Sequence, residues 1–136
     1  MIRWRKMKTE NLKMKSDNTN FKSEFKKRVY VFVIRLIKFI ESLPKDEVCR
    51  VMGKQLLRSG TSVLANYIET QAASSRKDFT NFFHHSLKSA NESKMWLSLL
   101  KDTGKGNKEE TEYLLKELTE IANVIASSII TLKGKR

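Results

Sequence analysis

The polar residues with the most regular spacing lie in the middle of the chain. Intervals of three or four residues place five of them on one helix face, namely Gln55, Arg58, Ser62, Asn66 and Glu69. Ser89 and Glu92 repeat this interval further along. The arginine could bind a phosphate while glutamates hold its guanidinium, or the stripe could remain solvated or form an internal hydrogen-bond network. We favour the network, with members Arg58, Ser62, Asn66, Glu69, Ser89 and Glu92.

Patterns associated with catalysis or cofactors are missing from the sequence. No glycine-rich phosphate loop occurs. The only histidines, His84 and His85, are adjacent and point about 100° apart on a helix, so they cannot share one metal ion. The single cysteine, Cys49, can form neither an intramolecular disulfide nor a structural zinc site on its own, which favours a reducing compartment. We therefore expect a protein that is not an enzyme and that has no cofactor and no metal.

Positive charge is the strongest compositional signal. The 136 residues include 27 Lys and Arg against 15 Asp and Glu, a formal net charge of +12. The excess is concentrated before position 59, where 16 basic residues face six acidic ones. Such a field favours polyanions, and contacts to phosphates would be largely independent of base sequence and steeply weakened by salt. The predicted nucleic-acid surface comprises Lys26, Lys27, Arg28, Arg35, Lys38, Arg50, Lys54 and Arg58.

Four amphipathic segments predict the elements that carry these residues. Apolar side chains recur with the period of a helix in residues 21–43, 46–73 and 76–102, and in a fourth segment that opens at Asn107 or Lys108. Residues 29–34 alone would suit a strand, but the helical period continues on both sides of them. Long helices with short connections must pack as antiparallel neighbours. The sequence thus predicts an all-α, up-down-up-down four-helix bundle over residues 20–136.

Local signals predict where the helices begin and end. Pro44 stops the first helix, and Asp46 and Ser75 are candidate N-caps for the second and third. Residues 1–19 are predicted to be a basic, flexible tail, in which residues 16–20 are polar turn material that could cap the first helix.

The glycines predict one turn and one close approach. Gly104 and Gly106 end the third helix, where a left-handed residue is expected. Gly53 and Gly60 lie seven residues apart inside the second helix. Because each costs about 1 kcal/mol relative to alanine in a helix, we expect another helix to pack closely against them.

Hydropathy argues against a membrane protein. No segment reaches the roughly 18–20 uninterrupted apolar residues that a membrane-spanning helix needs. No apolar run of the secretory type follows the basic N-terminal residues before Asp17. The expectation is a soluble, cytoplasmic protein.

The central stripe also carries a family resemblance. The stretch QLLRSGTSVLANYIE, residues 55–69, resembles the signature of the bacterial four-helix-bundle proteins encoded in intervening sequences of large-subunit ribosomal RNA. Residues 79–83, 87–92 and 96–100 continue the resemblance, which covers roughly residues 24–132. The arginine, asparagine and glutamate of the family correspond to Arg58, Asn66 and Glu69. Two positions depart from the pattern, Thr70 in place of glycine and Lys94 in place of an acidic residue.

This family in turn resembles the accessory variability determinant of diversity-generating retroelements. The resemblance implies a four-helix protomer that assembles as a homopentamer. It also implies a basic surface that engages nucleic acid and, in retroelements, a reverse transcriptase. Neither departure affects the expected fold, but both weaken the transfer of binding details.

Three functions compete on the sequence alone. The first is RNA binding through the basic half of the chain, accessory either to a reverse transcriptase or to an rRNA intervening sequence. The second is an oligomeric protein-interaction scaffold, since the first helix is apolar on more than one face. The third, a basic amphipathic helix on an anionic membrane, ranks lowest because the bundle already uses those apolar faces.

Overall fold

The computed structural model describes the backbone of residues 15–134 and the side chains of residues 20–134. This part of the chain contains four helices and no strand: α1 (Lys15–Glu41), α2 (Glu47–Gln71), α3 (Arg76–Asp102) and α4 (Lys108–Gly134). Connections of four or five residues make consecutive helices antiparallel, and α1 also packs against α4. The predicted four-helix bundle is confirmed. Residues 29–34 are helical despite their strand propensity, with Val29, Phe32 and Val33 buried in the helical stripe and the other three exposed.

The first helix begins earlier than predicted. It starts at Lys15, so residues 16–20, which were expected to form a capping turn, are helical. Polar residues of this kind cost only a few tenths of a kcal/mol each inside a helix, and a helix that is already nucleated propagates through them. Most of the predicted tail, residues 1–14, lies outside the described residues.

A continuous hydrophobic core runs along the bundle. Each helix turns one apolar stripe inward, and the largest fully buried side chains are leucines and isoleucines from all four helices, among them Leu36, Leu56, Leu97 and Ile121. The opposite faces carry charged residues, as expected for helices that pack on one side only. None of the described helices combines the length and the apolarity needed to cross a bilayer.

The predicted caps hold the helix ends. The Asp46 side chain accepts a hydrogen bond from the Cys49 backbone N–H at 2.8 Å, and Ser75 accepts one from the Asp78 backbone N–H at 3.1 Å. These bonds satisfy donors that the first turn of a helix leaves free. Between α3 and α4, Gly104 and Gly106 have φ angles of 70° and 76°, a region that suits glycine. The turn between α3 and α4 therefore follows the sequence prediction.

Close packing of α1 on α2 explains the two helical glycines. A Cβ atom added at Gly60 would lie 2.2 Å from Cδ2 of Leu36, whereas one at Gly53 would lie 3.3 Å from Cγ2 of Ile40. The expected close approach is confirmed at both positions, and it is tightest at Gly60. This contact sets the separation of α1 and α2.

Candidate polar groove and basic surface

Small hydroxyl side chains form the seam between α2 and α3. Ser59 and Ser93 are buried, with their hydroxyl oxygens 2.7 Å apart. Two turns from Ser93 along α3, the buried Ser86 hydroxyl donates to the backbone carbonyl of Val63 at 2.8 Å. Because serine is small and each of these hydroxyls has a partner, the two helices can approach closely without leaving a polar group unsatisfied.

Nearer the surface, the same seam continues as a side-chain network. The Ser89 hydroxyl donates to the Ser62 hydroxyl at 2.9 Å, across the two helices. The Asn66 amide donates to both the backbone carbonyl and the hydroxyl of Ser62, at 2.9 Å in each case. These bonds hold α2 and α3 in one register.

An ion pair forms a second group of polar contacts further along the same seam. A terminal guanidinium nitrogen of Arg58 donates to Oε2 of Glu92, while Nε of Arg58 donates to Gln55 at 3.1 Å. The indole N–H of Trp96 donates to the same Glu92 oxygen at 3.2 Å. Glu92 on α3 thus accepts hydrogen bonds from Trp96 on the same helix and from Arg58 on α2, and it orients the arginine.

Five of the six residues predicted as a polar network make side-chain hydrogen bonds, but in two separate groups. Ser62, Asn66 and Ser89 form one group along the α2–α3 seam, and Arg58 and Glu92 form the other. Glu69 is exposed, and its side chain makes no hydrogen bond or ion pair with the described residues. Three residues after Asn66, Glu69 is rotated about 60° away along the helix. From that position a glutamate side chain is too short to reach α3, whereas the longer side chain of Arg58 does reach it.

The buried Ser59, Ser86 and Ser93 were not predicted as members of the network. The signal that could have found them is a set of serines at positions of the apolar stripe, where a hydroxyl must find a partner.

A shallow groove of about 490 Å³ lies over this network. Polar side chains dominate its wall, and one aromatic ring, that of Phe82, lies next to the exposed imidazole of His85 with ring centroids 6.5 Å apart. Lys88 has no ion pair with any described residue. The full lining is Arg58, Ser62, Asn66, Phe82, His85, Lys88, Ser89 and Glu92.

Carboxylates of α4 form ion pairs with two arginines of the predicted basic surface. Arg28 forms a bidentate contact with Glu117, at 2.8 and 2.7 Å, and also donates to Glu120 at 2.9 Å. Arg35 donates to both oxygens of Glu110, at 2.5 and 3.0 Å, and its guanidinium lies 3.6 Å from the ring centroid of Tyr113. These side chains bridge α1 to α4, the adjacent pair with the least close backbone contact.

The ion pairs shift the proton affinities of the acidic partners. Hydrogen bonds from Arg28 hold the pKa of Glu117 below its ordinary value, and hydrogen bonds from Arg35 do the same to the pKa of Glu110. The same contacts raise the pKa of each arginine, against the opposing effect of desolvation. All four groups are therefore charged near neutral pH, and their charges compensate each other.

Each arginine of the predicted surface consequently forms an ion pair with a carboxylate. Arg50 pairs with Glu47 at 2.5 Å on the same helix, and Arg58 pairs with Glu92. The four lysines of the set have no ion pair with any described residue; they are Lys26, Lys27, Lys38 and Lys54. The eight residues predicted as the nucleic-acid surface thus divide into four arginines in ion pairs and four lysines without one.

Other groups with potential chemistry are poorly placed for it. Burial raises the pKa of the Cys49 thiol, and the Asp46 carboxylate 3.7 Å away acts in the same direction, so the thiolate is disfavoured. Among the residues whose structure is described, no group of three or more His, Cys, Asp or Glu is arranged to hold a metal ion. The features that remain are the polar groove and the lysines.

Comparisons with known proteins point to one family. A family model described as 23S rRNA-intervening sequence protein matches residues 22–127. The fold is similar to a crystal structure of a protein of unknown function, from the S23 ribosomal protein family of Bacteroides thetaiotaomicron VPI-5482. The two share 39% sequence identity and a TM-score of 0.70 over 77% of this chain and 97% of that one. No curated protein matches the chain.

Proposed function

The chain belongs to the family of 23S rRNA-intervening sequence proteins, and on that premise we propose that it binds RNA without catalysing a reaction. The observation that carries the proposal is a difference in ion pairing between the arginines and the lysines of the predicted surface. Arg28, Arg35 and Arg58 make ion pairs between helices, whereas Lys26, Lys27, Lys38 and Lys54 remain unpaired at the surface. The family name supports an RNA of ribosomal context as the partner, and we propose the cytoplasm as the location.

Lysines suit this role because of their chemistry. An ammonium group is a compact, strongly hydrated charge that follows phosphates without demanding one geometry. Such contacts release counterions and give affinity that depends on salt more than on base sequence. Lys27 and Lys38 lie on the outer face of α1, and Lys26 is turned about 100° from Lys27 along the helix. The surface therefore wraps around α1 instead of forming one flat patch.

A salt series with an RNA hairpin tests the proposal. If four phosphates are contacted, the affinity should fall about a hundredfold between about 50 and 200 mM salt. Replacing Lys26, Lys27, Lys38 and Lys54 together by glutamine should remove most of this salt dependence. The matched control removes the same charge from the unpaired lysines Lys77, Lys94, Lys108 and Lys116 and should retain it. Equal losses in both variants, or affinity insensitive to salt, would contradict the proposed surface.

We further propose that the protomers assemble through α1 into the homopentamer that the family resemblance implies. The outer face of α1 exposes three apolar side chains: Tyr30 at 55%, Val31 at 54% and Ile34 at 40%. A contiguous apolar strip of this kind typically marks an interaction surface. Lys27 and Lys38 flank it, so assembly around an axis would collect the proposed phosphate-binding lysines in a ring.

Multi-angle light scattering tests the assembly. The parent protein should have five times the protomer mass at micromolar concentration, and Val31→Glu should reduce the mass by placing a charge in the interface. Ile130→Glu is the matched control, because Ile130 is 70% exposed on α4, away from this strip. A parent that is strictly monomeric would refute the assembly, and so would equal dissociation of both variants.

A reverse transcriptase as partner is a narrower proposal that depends on the retroelement resemblance alone. The second candidate function, a scaffold for proteins with no RNA role, is favoured by the same exposed strip of α1. Co-purification of the chain with a reverse transcriptase encoded beside it would support the reverse transcriptase as partner. An assembled protein that fails to retain the RNA hairpin at low salt would support the scaffold function.

A further inference from the structure

We propose that the groove between α2 and α3 binds one unpaired nucleotide of an RNA strand. Its base would lie against Phe82 and His85, and its phosphate would lie between Arg58 and Lys88. This inference rests on the proposed RNA binding and adds a second, more selective contact to the lysine surface of α1 and α2. Both aromatic side chains stand on α3, one turn apart, on the wall of the groove.

The charges at the groove match a phosphodiester group. Arg58 and Lys88 are positive and Glu92 is the one acidic residue of the lining, so the site carries about one net positive charge. Glu92 and Gln55 use one terminal nitrogen and Nε of the guanidinium, and this leaves the other terminal nitrogen of Arg58 without a partner among the described residues. An arginine held in this way is oriented in advance to donate to a phosphate oxygen.

The floor of the groove matches the edge of a base. The Asn66 amide nitrogen is bonded to Ser62, but its carbonyl oxygen accepts no hydrogen bond from the described residues. Likewise Oε1 of Glu92 is unused, because Arg58 and Trp96 both donate to Oε2. Free acceptors suit the amino groups of a base, which are accessible only when that base is unpaired. Duplex RNA would offer its backbone but not this edge.

The groove is large enough for one nucleotide. A volume of about 490 Å³ lies within the range of small-ligand sites, and a stacked helix would not enter it. Stacking of a base on an aromatic side chain tolerates any base identity. The contact would therefore select single-stranded RNA over duplex, with stacking open to any base and the free acceptors favouring bases that carry an amino group.

Trp96 offers a direct readout of this site. The chain has two tryptophans, and Trp4→Phe leaves Trp96, which shares Glu92 with Arg58, as the single reporter. Titration with an eight-nucleotide single-stranded oligoadenylate should change its fluorescence, and an RNA duplex of equal length should not. His85→Ala should weaken the oligonucleotide about tenfold. His84→Ala is the matched control, since His84 is exposed on the same turn but outside the groove, and it should bind like the parent.

A second pair separates charge from stacking. Lys88→Ala should weaken binding of the oligonucleotide, whereas Lys94→Ala removes the same charge from α3 outside the groove and should not. Equal affinity of the two histidine variants, or equal fluorescence response to duplex and single strand, would overturn the nucleotide site. A shift in oligomer mass with His85→Ala would overturn it too, by assigning the groove to a second copy of the chain. In these outcomes hairpin binding by the α1 lysines would persist, so failure of the groove is distinguishable from failure of RNA binding.

Discussion

Replacing Phe83 by alanine is expected to lower the free energy of unfolding by about 3–5 kcal/mol. Its side chain is 5% exposed and packs edge to face against Tyr67 and Phe79, with ring centroids 6.1 and 4.8 Å apart. Phe25 extends this cluster from α1 through Tyr67 at 5.0 Å. Removing the central ring would leave a cavity that joins three helices and would also remove the favourable ring contacts.

The neighbouring residue supplies the control. Phe82 is only half-buried and faces the groove, so Phe82→Ala should cost about 1 kcal/mol, near the centre of the range for ordinary substitutions. Urea unfolding followed by circular dichroism gives both values, provided that the denaturant slope is unchanged. Equal destabilisation by the two variants would show that the aromatic cluster does not anchor the bundle in the way the packing indicates.

Replacing Gly60 by alanine is expected to destabilise the protein by about 2 kcal/mol. The added Cβ would lie 2.2 Å from Cδ2 of Leu36, a fully buried side chain with little room to move. Overpacking costs up to about 3 kcal/mol, and the better helix propensity of alanine returns about 1 kcal/mol. The steric cost therefore exceeds the gain in helix propensity, and α1 must shift away from α2 to accommodate the methyl group.

Gly53→Ala tests the same argument, but here the expected change in stability has the opposite sign. There the nearest atom is 3.3 Å away, at the end of the Ile40 side chain, which is not fully buried. A small displacement removes the strain, so the propensity gain of up to about 1 kcal/mol should dominate and the variant should be neutral or more stable. Thermal unfolding of the two alanine variants side by side measures the difference. A stabilised Gly60→Ala would mean that α1 and α2 are not closely packed at this point.

The ion pairs explain why the sum of charge along the sequence does not show which cations are free. Arginine presents a planar fork that fits a carboxylate, and Arg28 and Arg35 use it to fasten α1 to α4. Lysine gains less from such pairs and stays hydrated. The net charge of +12 therefore overstates the field near the arginines, and the free cations to be tested are lysines.

The sequence determined the architecture, because the signals for it are local and repeat many times. The apolar period of each segment specifies an inward face, and Asp46, Ser75 and Gly104 mark helix ends through bonds and φ angles within a few residues. Gly60 predicted a close contact because its cost to a helix needs a compensation. Where the signal was weak, at the polar residues 16–20, the boundary was misplaced.

Only the tertiary structure decided which charges remain free and where a groove opens. Glu110 and Glu117 are more than 70 residues from the arginines they neutralise, and nothing in the local pattern pairs them. Glu69 shares a stripe with Asn66 but points away from α3, since a side chain must both face a neighbour and reach it. Periodicity specifies the face of a helix, whereas the partner opposite that face depends on how all four helices pack together.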